Sequence, residues 1–277
     1  MKIATATMAA LAGLGSQNFL GYRWIGPFLN GLPERLRRRA ALECLALSPH
    51  YFFRDQSNAH LSHRAFLNSE FERNARTRQV IFRDLISKYL PADPVVVDYG
   101  CGPGFLARSA ADSCKAVIAC DISPGVLACA RILNSGSKIQ YADVGNGRVP
   151  LPDGSVDAVY CFAVVQHITD DVFRAVLAEW WRILRPNGTV ICHAVIDAEG
   201  WQTEADWRAD ESLRGRMKWR FGLHCFSRTP EHFSAILDLA GFGRPQITKI
   251  GDLGASIGDE TDDQHLCVFT KLAAPAA

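Results

Sequence analysis

Val95 Val96 Val97 Asp98 Tyr99 Gly100 Cys101 Gly102 Pro103 Gly104 joins a β-branched run to a loop with glycine at every second position. Val95 to Val97 are stiff at χ1 and uninterrupted, as expected of a strand buried on both faces. The glycines permit a tight turn and a close approach of backbone to ligand, and residues 105–111 continue as a helix. The segment therefore reads as the opening strand, loop and helix of an α/β, doubly wound, Rossmann-like sheet. Such sheets bind ligands beyond the carboxyl ends of their strands.

Glycine spacing alone does not select the cofactor. Gly102, Gly104 and Ala107 also fit the alanine-ended dinucleotide fingerprint, with Asp121 where a ribose-binding acid belongs. Asp98 separates the two classes, because a carboxylate aimed into this loop repels a pyrophosphate and attracts an ammonium or sulfonium group. A cationic cofactor is expected.

On these residues the chain resembles the class I S-adenosylmethionine-dependent methyltransferases, whose first motif is an acid followed by a Gly-x-Gly-x-Gly loop. The resemblance spans residues 66–271 and is strongest to the small-molecule branch typified by quinone-biosynthesis enzymes. It implies S-adenosyl-L-methionine as cofactor and a seven-stranded, mostly parallel sheet with helices on both faces. It places Asp98, Gly100, Cys101 and Gly102 around the cofactor and gives Asp121 to the ribose hydroxyls. Ile122 follows as the apolar residue on the adenine, and Asp143 with Val144 matches the position that accepts the adenine amino group. Phe162 opens the loop lying, in the family, between methyl donor and acceptor. Arg78, upstream of Asp98, corresponds to an arginine that pairs with the methionyl carboxylate. Arg73, Arg76 and Arg83 nearby keep open the alternative of a solvated charged face.

The remaining motifs follow in order. A turn at residues 151–155 precedes an apolar run that exits through Phe162 to Ile168. Asp170 and Asp171 are candidate caps for a helix carrying Phe173, Val176, Leu177, Trp180 and Leu184 at helical spacing. Arg185 Pro186 Asn187 Gly188 signals its end before a strand over residues 189–196. Residues 233–240 read as the last helix, and residues 246–250 with 265–271 as a closing strand pair.

Methyl transfer from a sulfonium is an in-line displacement that demands alignment and exclusion of water more than acid–base machinery. An oxygen acceptor attacks faster once deprotonated, and His167, at the exit of the fourth strand, is the candidate base. A purely loop-shaping role for it stays open. His193, inside a strand, reads as a satisfied core residue. The long connection over residues 197–230 holds Trp201, Trp207, Trp219, Phe221, His224 and Phe226; Trp201, Trp219 and His224 are candidate substrate contacts within a substrate cap. Packing of a small helical cap would explain the same aromatics.

At 277 residues and 48% hydrophobic, the chain can bury a full sheet core. Thirty basic against 29 acidic side chains leave a net charge of +1, which gives no electrostatic signal for nucleic acid. The Asn/Asp-Pro-Pro-aromatic motif of nucleobase and glutamine methyltransferases is replaced by Phe162 Ala163 Val164 Val165, which leaves small or lipid-like acceptors. Nine cysteines without a Cys-x-x-Cys pair read as small buried hydrophobes in a reducing, cytoplasmic setting. His60 and His63 lack a third ligand at zinc spacing, so no metal is expected.

Residues 1–65 form a helical N-terminal extension or cap, ahead of a methyltransferase domain over 66–277. The apolar run at residues 3–14 is too short to span a bilayer and makes a poor export signal. The aromatic segment at 19–29 and Arg35, Arg37, Arg38 and Arg39 fit either peripheral contact with a membrane surface or a cap packed on the domain. Nothing in the pattern fixes an oligomeric state. Two other functions fit the opening motif less well: a nicotinamide-dependent oxidoreductase, opposed by Asp98 and by the lack of a Tyr-x-x-x-Lys pair, and a catalytically inactive methyltransferase-like partner subunit.

Overall fold

The computed structural model describes residues 22–48, 51–220, 224–254 and 264–272. The apolar run at 3–14 and Phe221 lie outside the described residues. The core is one seven-stranded sheet in the order β3-β2-β1-β4-β5-β7-β6. Its strands are β1 Val95–Tyr99, β2 Ala116–Asp121, β3 Ile139–Asp143, β4 Val156–Cys161, β5 Leu184–Ala194, β6 Gln246–Lys249 and β7 His265–Thr270. β7 is antiparallel to both neighbours and the other pairs are parallel. Strand order reverses between β1 and β4, where the carboxyl ends diverge into a crevice.

Nine helices are described: α1 Ile25–Gly31, α2 Glu34–Ala46, α3 His63–Val80, α4 Phe105–Ala110, α5 Pro124–Leu133, α6 Asp170–Ile183, α7 Glu204–Ala209, α8 Leu213–Arg220 and α9 Pro230–Leu239. One face of the sheet, through Val97, Ile118 and Val159, packs on Trp180 and Phe173 of α6 and Phe233 of α9. The other, through Val96, Val117 and Ala158, packs on Leu106 of α4 and on Ile81 to Ile86 beyond α3. Both faces are thus dry, which is why β1 carries no polar alternation before Asp98. α1 and α2 pack on α5 through Ile25, Leu29, Leu45, Val126 and Cys129.

Two local expectations are corrected. Asp170 and Asp171 do not cap α6; Thr169 is the N-cap, without a side-chain hydrogen bond, and both acids lie in the first turn. Asp170 is drawn away by the Arg228 guanidinium, whose Nε donates to Oδ1 at 2.8 Å, and by His232. The Arg185-to-Gly188 turn does not separate helix from strand. It is an irregularity inside β5, whose pairing with β4 jumps from Val156↔Leu184 to Ala158↔Thr189, with Asn187 at φ 61°.

The glycine loop is under steric compulsion at Gly104, which has φ 81° and precedes α4. A Cβ there would run into the Tyr141 ring and hydroxyl, and that hydroxyl already donates to the Asn134 carbonyl at 2.8 Å. Gly104→Ala is expected to lower stability by about 2–4 kcal/mol, summing left-handed backbone strain and displaced packing; urea denaturation of the two proteins checks this.

Candidate functional site

The crevice is built from the loops that leave β1, β2, β3, β4 and β5. The β1 loop is pinned by its neighbour, since the Gly100 and Cys101 amides both donate to the Cys120 carbonyl, at 2.8 and 2.9 Å. The Gly102 amide donates to Asp121 Oδ2 and the Ser123 amide to Asp121 Oδ1, each at 2.9 Å. Asp121 therefore organises two loops at once and keeps lone pairs for further donors. Ile122, next to it, is 68% exposed, an unusual state for a large apolar residue at the rim of a buried motif. Asp143 closes this end, accepting from the Gly145 amide at 2.8 Å, with the Arg23 guanidinium 3.7 Å from its other oxygen. Val144 is buried, and its amide donates to the Asp121 carbonyl at 3.1 Å.

Asp98 is where expectation and structure differ in detail. It is fully buried, and its Oδ2 has no hydrogen-bond partner among the described residues. Burial pushes the carboxyl up to about 8, Asp121 adds to the rise, and Arg78 opposes it. At neutral pH the carboxyl is thus mostly protonated, not the standing negative charge that its sequence position implies. Arg78, half-buried on α3, faces the same space; burial lowers its pKa and Asp98 acts in the opposite sense. A carboxyl with one oxygen unpartnered beside a cation fits a zwitterionic amino-acid group, whose ammonium would restore the Asp98 charge.

The sign of the linkage is testable without a ligand. Because the native pKa lies above the unfolded value of 3.8, the native state holds the extra proton between those two limits, and the Asp98 contribution to stability falls as pH rises through that window. Asp98→Asn is therefore expected to gain in melting temperature relative to the parent as pH is raised from 5 to 8. A difference between the two proteins that does not vary with pH would refute the assignment.

The β4 exit loop is held residue by residue. Phe162 stacks on His193, with centroids 4.5 Å apart and planes at 21°. Ala163, at φ 61°, donates its amide to His193 Nδ1 at 3.2 Å. Val164 fills the space a Cβ on Gly100 would need. His193 is the buried, hydrogen-bonded strand residue expected, and it also supports this loop; burial drives its pKa down to about 3, so Nδ1 stays free to accept. Arg228, buried, donates to the Val165 and Ile168 carbonyls at 3.0 and 2.7 Å and fixes the next turn.

That turn presents His167. Its Nδ1 lies 3.1 Å from the His224 carbonyl and 3.3 Å from Cys225 Sγ, while His224 Nε2 lies 3.2 Å from the His167 carbonyl. A carbonyl can only accept, so the proton sits on Nδ1 and leaves Nε2 with its lone pair. Burial lowers the His167 pKa and the bond to His224 partly offsets this, so the ring is neutral at pH 7. His224 also stacks on Trp219 at 4.8 Å and on Phe226 at 4.9 Å. Trp207 is tied to the same group by its indole N–H, which donates to the Cys225 carbonyl at 2.8 Å. Trp219 and His224 are thus brought to His167; Trp201, exposed outside this ring cluster, is not. His63 meets Glu43 at 2.6 Å. Among the described residues no three His, Cys, Asp or Glu side chains are grouped to hold a metal.

Sequence reasoning gave His193 and Trp207 no part in the site and missed Arg228 and Cys225. Only the left-handed Ala163 would have flagged the first, and no pattern in the chain announces a backbone conformation at alanine.

A family model described as a methyltransferase domain matches residues 97–192. The chain is 35% identical over 96 residues to a malonyl-[acyl-carrier protein] O-methyltransferase of Serratia marcescens, covering 35% of this chain and 36% of that enzyme. It is 33% identical over 101 residues to a ubiquinone biosynthesis O-methyltransferase of Xanthomonas axonopodis, covering 35% and 41%. The matched stretch thus spans well under half the length of these curated relatives, whose names across the matches include both O- and N-methyltransferases. The methyltransferase of Haloferax volcanii solved in complex with the Trm112 activator shares the fold, with a TM-score of 0.52 at 16% identity over 76% of this chain and 97% of that one. Motif order and sheet order agree with these matches, which give residues 97–192 a methyltransferase domain on a Rossmann-like sheet.

Proposed function

We propose that the protein transfers a methyl group from S-adenosylmethionine to an oxygen atom of a small or lipid-like metabolite. Asp121 would take the ribose hydroxyls through the lone pairs its two amide partners leave. The exposed Ile122 would lie under the adenine, with Asp143 at its amino group and Val144 beneath. Arg78 and Asp98 would share the amino-acid end, one receiving the carboxylate and the other the ammonium. When bound, the cofactor supplies an electrophilic methyl on a sulfonium. Gly100, Cys101, Gly102 and Phe162 position and shield, which excludes water from an in-line displacement.

The observation that carries the choice of oxygen is the His167 tautomer. With Nδ1 committed to the His224 carbonyl, Nε2 is left as a neutral acceptor that can take the proton of a hydroxyl as it attacks. Trp219 and His224 would form the acceptor wall, with residues 197–230 as a substrate cap. Trp201, standing apart, would contribute only at the rim.

Packing of α1 and α2 on α5 supports reading residues 1–65 as a cap on a domain over 66–277. Exposed Tyr22, Trp24 and Phe28 beside Arg23 support peripheral contact of that cap with an anionic membrane surface. The free cysteines, all but Cys225 buried, support a reducing cytoplasmic setting. No helix among the described residues is long and apolar enough to cross a membrane.

The test has two parts. Isothermal titration should show binding of S-adenosylhomocysteine, and its absence would overturn the cofactor assignment. Incubation with methyl-labelled S-adenosylmethionine and matched panels of phenols, carboxylic acids and amines should label hydroxyl or carboxyl acceptors. Label confined to amines would overturn oxygen as the target.

A further inference from the structure

The segment that follows α2 reaches the cofactor crevice through Tyr51. Its ring lies directly over the glycine loop: a Cβ on Gly102 would meet Tyr51 Cε1 at 3.2 Å and the hydroxyl oxygen at 3.9 Å. Burial raises the phenol pKa well above its usual value, and the charges of Asp121 and then Cys101 act in the same direction. The ring therefore stands among the two loops that Asp121 joins.

Tyr51 is not loosely placed. Its amide donates to the Ser48 carbonyl at 3.1 Å, and Asn74 Nδ2 on α3 donates to its carbonyl at 3.2 Å. The next two residues are fixed as firmly. Phe52 is buried against the α2–α5 cluster, and the Phe53 amide donates to Glu70 Oε2 at 3.1 Å. Glu70 is itself buried on α3 and receives two bonds from Arg73, at 3.0 and 2.7 Å. A buried carboxylate held this way is costly to build and serves here to anchor a short strap. The same helix thus delivers Arg78 to one end of the crevice and clamps Tyr51 over the other.

The geometry points to Tyr51 as a cofactor-contacting residue, which packs on Gly102 and forms a side wall of the ribose pocket next to Asp121. This rests on the cofactor reading above and adds to it a contact supplied by the N-terminal extension. The adenine end stays open at Ile122, while the ribose end is roofed by an aromatic ring. A Tyr ring gives broad apolar contact with only two rotatable bonds to order. Exchange of cofactor for its demethylated product then requires the strap to yield, so Tyr51 governs residence time as well as affinity.

The experiment is stopped-flow and calorimetric binding of S-adenosylhomocysteine to the full chain and to Tyr51→Ala, Tyr51→Leu and Tyr51→Phe. Tyr51→Ala is expected to weaken binding about tenfold, mostly through faster dissociation, and Tyr51→Phe to stay within about threefold of the parent. Tyr51→Leu keeps a branched apolar side chain without the ring and should resemble Tyr51→Ala, because aromatic contact is what matters. Hydrogen exchange on the unaltered protein supplies a readout free of folding defects: amides of residues 51–54 should slow when S-adenosylhomocysteine binds. Unchanged rates in both Tyr51→Ala and Tyr51→Leu, or tighter binding in either, would overturn the inference, as would strap amides indifferent to ligand. Failure of the parent itself to bind would instead defeat the cofactor assignment.

Discussion

Asp121→Ala is expected to weaken binding of S-adenosylhomocysteine by roughly 10- to 200-fold, the equivalent of about 1.5–3 kcal/mol for hydrogen bonds to a charged group. The carboxylate has two employments, and the design of the test must separate them. It accepts the Gly102 and Ser123 amides in the protein alone, so alanine also frees the glycine loop from the β2 loop. Asp121→Asn keeps one acceptor oxygen, and so one of the two amide bonds, while its NH2 faces the other amide donor to donor. It removes the charge and one of the two acceptors a vicinal diol would use. Its affinity should therefore fall between parent and alanine, and its melting temperature, measured alongside, separates the loss of loop bridging from the loss of ligand contact. Burial raises the Asp121 pKa, and the Ser123 and Gly102 amides act against that rise, so the charged form depends on hydrogen bonds already in place. Equal affinity in all three proteins would remove Asp121 from the site.

The strand-loop-helix at residues 95–110 was readable because three demands coincide there: stiff β-branched residues, glycines at positive φ and a following amphipathic turn. Gly100, Gly102 and Gly104 have φ of 76°, 53° and 81°, so the alternation marks real backbone necessity. The strand sequence and the closing strand pair likewise follow from apolar runs separated by turn signals, whereas the antiparallel direction of β7 does not. What the chain concealed depends on long-range partners. Asp170 looked like a cap because local rules favour it, yet Arg228, 58 residues on, outcompetes the helix terminus. His193 looked inert because period alone cannot show that Ala163 turns its amide inward. The charge state of Asp98 depends on burial on every side, which no window of sequence displays. Tyr51 belongs to the same category: its role arises from Asn74 and Glu70 on α3, and nothing around it resembles a motif.

The acceptor half of the site makes the second large prediction. His167→Asn is expected to lower the methyl-transfer rate to an oxygen acceptor by about 10²- to 10⁴-fold, with S-adenosylhomocysteine affinity within about threefold of the parent. Asparagine is the informative choice because its amide N–H can replace Nδ1 as donor to the His224 carbonyl, which spares the loop, while nothing remains where Nε2 stood. A residue that only shaped the loop would therefore survive this change, and near-parental activity would assign His167 that role. The pH profile adds a second readout. A base must be deprotonated to act, and burial lowers the His167 pKa from 6.5. Parent activity should therefore be level through pH 7 and decline as pH falls through that lowered value. The acid limb should vanish in His167→Asn. His224→Phe separates wall from carbonyl: it keeps the backbone acceptor and an aromatic ring on Trp219 but loses the bond from Nε2 to the His167 carbonyl. It should raise KM for the acceptor more than it lowers kcat, because the His167 tautomer is set by the backbone oxygen that remains.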